Sequence, residues 1–241
     1  MRTRTTATVL VLLSLGLVGL AGCGGDSQSE ETTQASTAAS TPAPTTATTP
    51  PPGTASVPST APANALGAES LPPQDAVPGV REGAARTIDT AEAFVDVLYQ
   101  DGDPAKPAAT DRLEEAGFDG AIIRDQVGTQ PEAGLALLRT YAIRLRDEDA
   151  ARKEVDDAVD EVRSSSAART SDLEIAGIPD AQGLRVDVDQ GQVTGAVVFV
   201  TFPGGNVVYG LQGVATTGGA IPQDEMIGAA RDLATKVGAT P

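Results

Sequence analysis

Carboxylates are the only chemically versatile side chains present in quantity: 33 Asp and Glu stand against 17 Lys and Arg, with a single cysteine and no histidine. Without histidine, a Ser-His-Asp triad, a Cys-His dyad and His-ligated zinc are excluded as internally supplied sites. A lone cysteine likewise excludes thiolate metal clusters and dithiol redox work. The S-x-x-K nucleophile is missing, because Asp103, Ala150 and Leu233 stand three places before Lys106, Lys153 and Lys236. No P-loop or G-x-G-x-x-G fingerprint follows a strand. Two carboxylate pairs have spacing that suits an oxygen-seeking cation such as Ca²⁺. Asp187 and Asp189 fall on one face of a strand, and Asp101 and Asp103 share a Gly-Pro turn. Position twelve counted from the first residue of each is Val198 and Arg112, where a calcium loop requires Glu, so neither is read as a site. A glycosidase pair would need an aromatic-lined sugar cleft, and the chain has no tryptophan. Tyr99, Tyr141 and Tyr209, with Phe199 and Phe202, suit either a ligand pocket or the margin of a core, and the core is the expectation. Gly204 and Gly205 are read as turn formers rather than an anion nest. The expected inventory is therefore no catalytic residue, no cofactor and no metal.

The one cysteine has a different use. Leu20-Ala21-Gly22-Cys23 closes a charge-free apolar run, Val9 to Leu20, that follows Arg2 and Arg4. A basic start, a short apolar stretch and small residues before a cut site make a secretory leader. The run is too short for a transmembrane span, which needs about 20 apolar residues. The tetrad resembles the lipobox of bacterial lipoprotein precursors. That resemblance implies diacylglyceryl transfer to the Cys23 thiol, cleavage just before it, and retention of the mature N-terminus in a membrane by acyl chains. Lysine is scarce while arginine and alanine abound, which fits a GC-rich genome and an actinobacterial type of precursor. Residues 1–22 are thus expected to leave as a signal peptide, with Cys23 as the lipidation site.

Loss of Arg2 and Arg4 leaves 15 basic against 33 acidic groups. Such a balance opposes binding to nucleic acid, which rests on phosphate neutralisation, and opposes a polybasic second anchor on anionic lipid. From residue 23 to 79 the chain is dominated by Thr, Pro, Ala and Ser, including Pro50-Pro51-Pro52. A segment so poor in large apolar residues cannot offset its ordering entropy, so a disordered tether is expected. Proline keeps it extended: fully drawn out it reaches on the order of 170 Å, relaxed about 40 Å.

Residues 80–241 have the size of one domain. The spacing predicts a helix from Asp89 to Gln100, with Asp89 and Glu92 as a capping pair, and a short helix from Thr110 to Ala116 stopped by Gly117. A strand over Phe118–Val127 follows. Over Leu135–Leu145, Leu, Ala and Arg favour helix while Thr140, Tyr141 and Ile143 favour strand; the reading is strand. A helix from Asp147 to Arg163 carries Ala151, Val155, Ala158, Val159 and Val162 on one face, with Arg152-Asp156 and Lys153-Asp157 pairs opposite. Strands Gly183–Val188, Val193–Phe202 and Val207–Val214 form a meander joined by Gly-containing turns. A helix from Pro222, apolar at Met226, Ala230, Leu233, Ala234 and Val237, ends at Gly238.

The expected class is α+β: an antiparallel sheet with amphipathic helices on one face. Its order is similar to that of small sheet-plus-helix domains of envelope lipoproteins, including the PsbP-like group, from which no site residue carries over. The expected function is that of a membrane-anchored extracytoplasmic lipoprotein, a non-catalytic module binding an envelope protein or small ligand. Its partners would be the membrane, through Cys23, and that ligand, without nucleic acid. A lipid or solute carrier and a carboxylate-dependent hydrolase of envelope glycan are the alternatives.

Overall fold

A computed structural model describes residues 66–165, 169–190, 193–216 and 219–240. The expected signal peptide, the expected lipidation site Cys23 and most of the expected tether lie outside these residues. Eleven regular elements follow in order: β1 (Ala85–Ile88), α1 (Ala91–Leu98), α2 (Lys106–Glu115), β2 (Ala121–Val127), β3 (Leu135–Arg144), α3 (Glu148–Ser165), β4 (Arg169–Leu173), β5 (Gln182–Gln190), β6 (Val193–Gly204), β7 (Val207–Thr216) and α4 (Gln223–Lys236). Every strand pairing is antiparallel, and the sheet order is β1-β2-β3-β7-β6-β5-β4. The class is α+β.

Two meanders make the sheet. β1 to β3 form one and β4 to β7 the other. α3 carries the chain from β3 to the far edge, and the second meander then walks back until β7 closes on β3, with Tyr141 opposite Gly210 and Ala142 opposite Tyr209. The β6–β7 connection is a two-residue turn, Gly205-Asn206, in which Gly205 has φ 60. A left-handed first position suits glycine and matches the twist of the flanking strands.

Helices cover both faces rather than one. α4 lies with Val198, Val200, Phe202, Tyr209 and Leu211 against one face. α1, α2 and α3 cover the other, where Phe94, Leu113 and Val155 meet Ile123, Ile143 and Val208. Alternation explains the split, because adjacent residues of a strand point to opposite faces. The run Val197-Val198-Phe199-Val200 is apolar at every position, as a strand covered on both sides must be.

Local chemistry shifts several expected boundaries. The cap of α1 is Thr90, whose Oγ1 accepts from Ala93 N at 3.2 Å, rather than Asp89. α2 starts at Lys106, earlier than expected, because Pro107 occupies its first turn, where a missing N–H costs nothing. β2 starts after Gly120, whose φ of 113 breaks the extended run begun at Phe118. Asp147 precedes α3 and accepts from Ala150 N at 2.8 Å. On that helix Lys153 pairs with Asp157, as the spacing predicts, but Arg152 turns to Glu148 and Asp180, while Asp156 accepts from Gln182.

The packed domain also begins before residue 80. Leu71 and Val77, 1% and 3% exposed, join the α4-side core. Residues 66–83 form a strap across that face. Arg124 Nη1 donates to Pro72 O (2.7 Å), and Gln126 Nε2 donates to Gln74 O (2.8 Å). Arg124 is buried with its Nε unpartnered, as is the hydroxyl of Thr140 opposite it. At its start the strap is held by Lys236 Nζ, at the end of α4, which donates to Glu69 O (2.8 Å). Among the described residues no helix is long and apolar enough to cross a membrane.

Candidate functional site

The apolar faces of α1, α2 and α3 do not close completely on the sheet. Between them and β3, β5, β6 and β7 lies a cavity of about 140 Å³. Its walls are apolar and aromatic, with Phe94, Leu98, Tyr141, Leu184, Phe199 and Val208 contributing. Tyr141 is seated by an exchange across the sheet. It lies over Gly210 on β7, where a Cβ would stand 2.1 Å from the ring's Cζ, so only glycine leaves the ring room. Phe94 meets that ring edge-on with centroids 5.7 Å apart.

A polar bridge runs along one side of the cavity. Arg112 of α2 donates from Nε and Nη2 to the two oxygens of Glu154 (3.0 and 3.2 Å) and from Nη1 to Glu161 (2.5 Å). Tyr99, just after α1, donates its hydroxyl to the other oxygen of Glu161 at 2.7 Å. Three helices are thus tied by one guanidinium. Both glutamates come from α3 one heptad apart, on the margin of its apolar stripe, so they look inward together. The Glu154 side chain is 6% exposed.

The electrostatics follow from burial in this cluster. Burial works against the charge of Arg112, but Glu154 and Glu161 outweigh it and hold the guanidinium firmly protonated. Burial pushes the Glu154 carboxyl upward, opposed by the Arg112 charge. The Tyr99 hydroxyl is raised far above its ordinary value by burial and by Glu161. Burial and Glu154 push Tyr141 up to about 12. Both phenols therefore remain neutral at any physiological pH.

Of the sequence candidates, the structure brings Tyr99, Tyr141 and Phe199 to this cavity. Tyr209 and Phe202 go to the opposite face, stacked with centroids 5.2 Å apart beneath α4. Asp101 and Asp103 do not converge on a shared point. Asp101 pairs with Lys106 (3.5 Å), and Asp103 accepts from Ala105 N (2.9 Å) while bordering the cavity mouth. Asp187 accepts from Arg185 at 2.9 Å, and the side chain of Asp189 lies outside the described residues. Gly204 and Gly205 serve the β6–β7 turn, which Asn206 ties to Leu145 through hydrogen bonds in both directions. Among the described residues no group of three or more His, Cys, Asp or Glu side chains is placed to hold a metal ion.

No protein-family model matches this chain, and no curated protein matches it. One likeness is found among solved structures. It is to the extracellular domain of PknH from Mycobacterium tuberculosis, at 14% identity over 66% of this chain and 85% of that one, with a TM-score of 0.43. A likeness at that level carries no argument about function.

A second depression, more open and about 390 Å³, lies between α3 and the β4–β5 edge. Its arginines, Arg152 and Arg163, are paired with Asp180 and Asp172, and apolar wall is scarce. The apolar cavity beneath α1 to α3 is the better ligand site, since burial of apolar surface drives small-molecule binding and a few polar groups orient it.

Proposed function

We propose that this chain is a lipoprotein tethered through Cys23 to the outer side of the cell membrane, and that its α+β domain is a non-catalytic module binding a small ligand between the sheet and helices α1 to α3. The cavity beside the Arg112 bridge carries the reading. It is apolar enough to reward burial, and its charged bridge of Arg112, Glu154 and Glu161 lies on the helical wall, where it can orient the polar end of a two-ended molecule. Its size speaks to the ligand. An apolar protein cavity of about 150 Å³ accommodates benzene, so a ring or short alkyl group fits, and the paired chains of a membrane lipid do not. That weakens the lipid-carrier alternative.

The hydrolase alternative is weakened by size. A cavity of about 140 Å³ is much smaller than the cleft a glycan chain would occupy. Glu154 and Glu161 are ion-paired with Arg112 at its side, and Tyr99 donates to the second oxygen of Glu161.

One preparation tests anchor and ligand together. The native chain, recovered from alkali-washed membranes and extracted into organic solvent, is expected to release a small amphiphile detectable by mass spectrometry. Ala158→Leu, which fills the cavity from α3, is expected to release none. Cys23→Ser is expected to move the protein to the soluble fraction. Sedimentation of Cys23→Ser with washed membranes would overturn the anchor, and equal ligand recovery from Ala158→Leu would overturn the site.

A further inference from the structure

Resting on the cavity as the ligand site, we infer that it selects amphiphiles whose polar end is a cation or a hydrogen-bond donor, such as small aromatic or alkyl amines and alcohols, and rejects carboxylates of the same shape. The argument is an inventory of donors and acceptors. Four ionised groups border the cavity, Asp103, Glu154 and Glu161 against Arg112. The only cation bordering the cavity, Arg112, spends three of its five N–H donors on carboxylates, so its charge is already matched by Glu154 and Glu161. Tyr99 spends its one hydroxyl proton on Glu161, Thr201 donates to Tyr209 O (3.1 Å), and the Tyr141 hydroxyl, hydrogen-bonded with Thr201, is a neutral group. The amide of Gln212 is neutral and carries acceptor as well as donor. An incoming anion therefore meets a net negative charge, three carboxylates against one guanidinium that two of them already neutralise.

Acceptors, by contrast, remain. An ionised carboxylate has about four lone-pair directions, and Glu154 and Glu161 each use two on the bonds described. A ligand ammonium or hydroxyl can donate to these without breaking the bridge to Arg112. Aromatic surface adds to this preference, because the faces of Phe94, Tyr99, Tyr141 and Phe199 carry the negative part of the ring quadrupole, which attracts a cation placed over them. The apolar remainder of the ligand then fills the space between Leu98, Leu184 and Val208.

Three probes of one shape, benzylammonium, benzyl alcohol and benzoate, titrated into the chain from position 23 carrying Cys23→Ser, separate the possibilities by calorimetry and ligand-observed NMR. The ammonium is expected to bind at least about tenfold more tightly than benzoate at neutral pH, given attraction on one side and repulsion on the other. The alcohol falls between them. Glu161→Gln is expected to narrow the ammonium-to-benzoate ratio, weakening the ammonium more than the alcohol, and Ala158→Leu is expected to abolish all three. Benzoate binding as tightly as the ammonium, with Ala158→Leu still blocking both, would overturn the charge selection and leave the cavity as the site. Absence of binding by every probe, or binding indifferent to Ala158→Leu, would overturn the site itself and the selection with it.

Discussion

Arg112 is the residue on which the helical layer converges, because it alone joins α2 to two positions of α3 and, through Glu161, to the end of α1. Removing one partner of a buried ion pair leaves the other desolvated and unmatched, a loss of about 3 to 5 kcal/mol. Arg112→Met is expected to destabilise the domain by about 3 kcal/mol for that reason, measured by urea unfolding. Arg112→Met combined with Glu154→Gln should recover part of the loss, since the stranded charge is then gone. Asp147 acts differently. Its carboxyl is held below the ordinary value, first by the Ala150 N–H and then by Arg146. A depressed folded-state value contributes stability that is present above the unfolded value, about 3.9, and is lost as pH falls through the folded one. Asp147→Asn keeps a capping oxygen but cannot titrate, so its melting temperature should fall less steeply than the wild type's below about pH 4. Parallel curves would remove Asp147 from the acid response. The sequence singles out the rings but points them to a core rather than a cavity, and it does not single out the bridge. Tyr99, Tyr141 and Phe199 stand out by type, whereas Arg112, Glu154 and Glu161 resemble solvated helix charges. The available signal was the seven-residue spacing of Glu154 and Glu161 beside Val155, Ala158 and Val162.

At the scale of elements, the cavity depends on how β3 and β7 meet. Gly210→Ala would place a methyl inside the Tyr141 ring, an overpacking of a kind that costs about 1 to 3 kcal/mol. The ring must then tilt toward the cavity, so weaker probe binding should accompany the stability loss. The strand reading of Leu135–Leu145 held because Thr140, Tyr141 and Ile143 fall within a central strand of the sheet, where packing overrides the helix propensity of Leu and Ala. β1 and β4 were not foreseen. Ala-Arg-Thr-Ile and Arg-Thr-Ser-Asp-Leu are short, polar edge strands, so neither shows an apolar alternation, and Arg and Asp on such an edge discourage pairing with another chain. The placement of helices on both faces was written in the unbroken apolar run of β6, but helix periodicity alone does not say which face a helix takes. Tyr209 went opposite to Tyr141 through strand parity, since its partner on β3 is Ala142.

For the whole molecule, where the packed domain begins matters most. Composition placed it near residue 80, because Leu71 and Val77 are isolated among Pro, Ala and Gly and raise no periodic signal. Packing places both in the core with α4. A chain beginning at residue 80 loses two buried side chains and the Arg124 and Gln126 contacts to the strap. Truncating one buried leucine alone costs about 2 to 5 kcal/mol. That chain is therefore expected to melt well below one beginning at residue 66, and equal melting temperatures would show the strap to be dispensable. The acidic excess of the chain, 33 acidic against 17 basic groups, makes copies repel one another and would add to the field that favours cationic ligands at the cavity.

The pinning of Glu69 by Lys236 has a mechanical side. The chain enters the domain on the α4 face, where the strap is fastened to β2 through Arg124 and Gln126 and to the last turn of α4 through Lys236. A pull arriving from residue 66 therefore loads these three fastenings before any strand of the sheet. The load-bearing line runs on one side of the sheet and the cavity lies on the other. Drag on a surface-held domain would peel the strap first, while Tyr99, Arg112 and Glu161 kept their geometry.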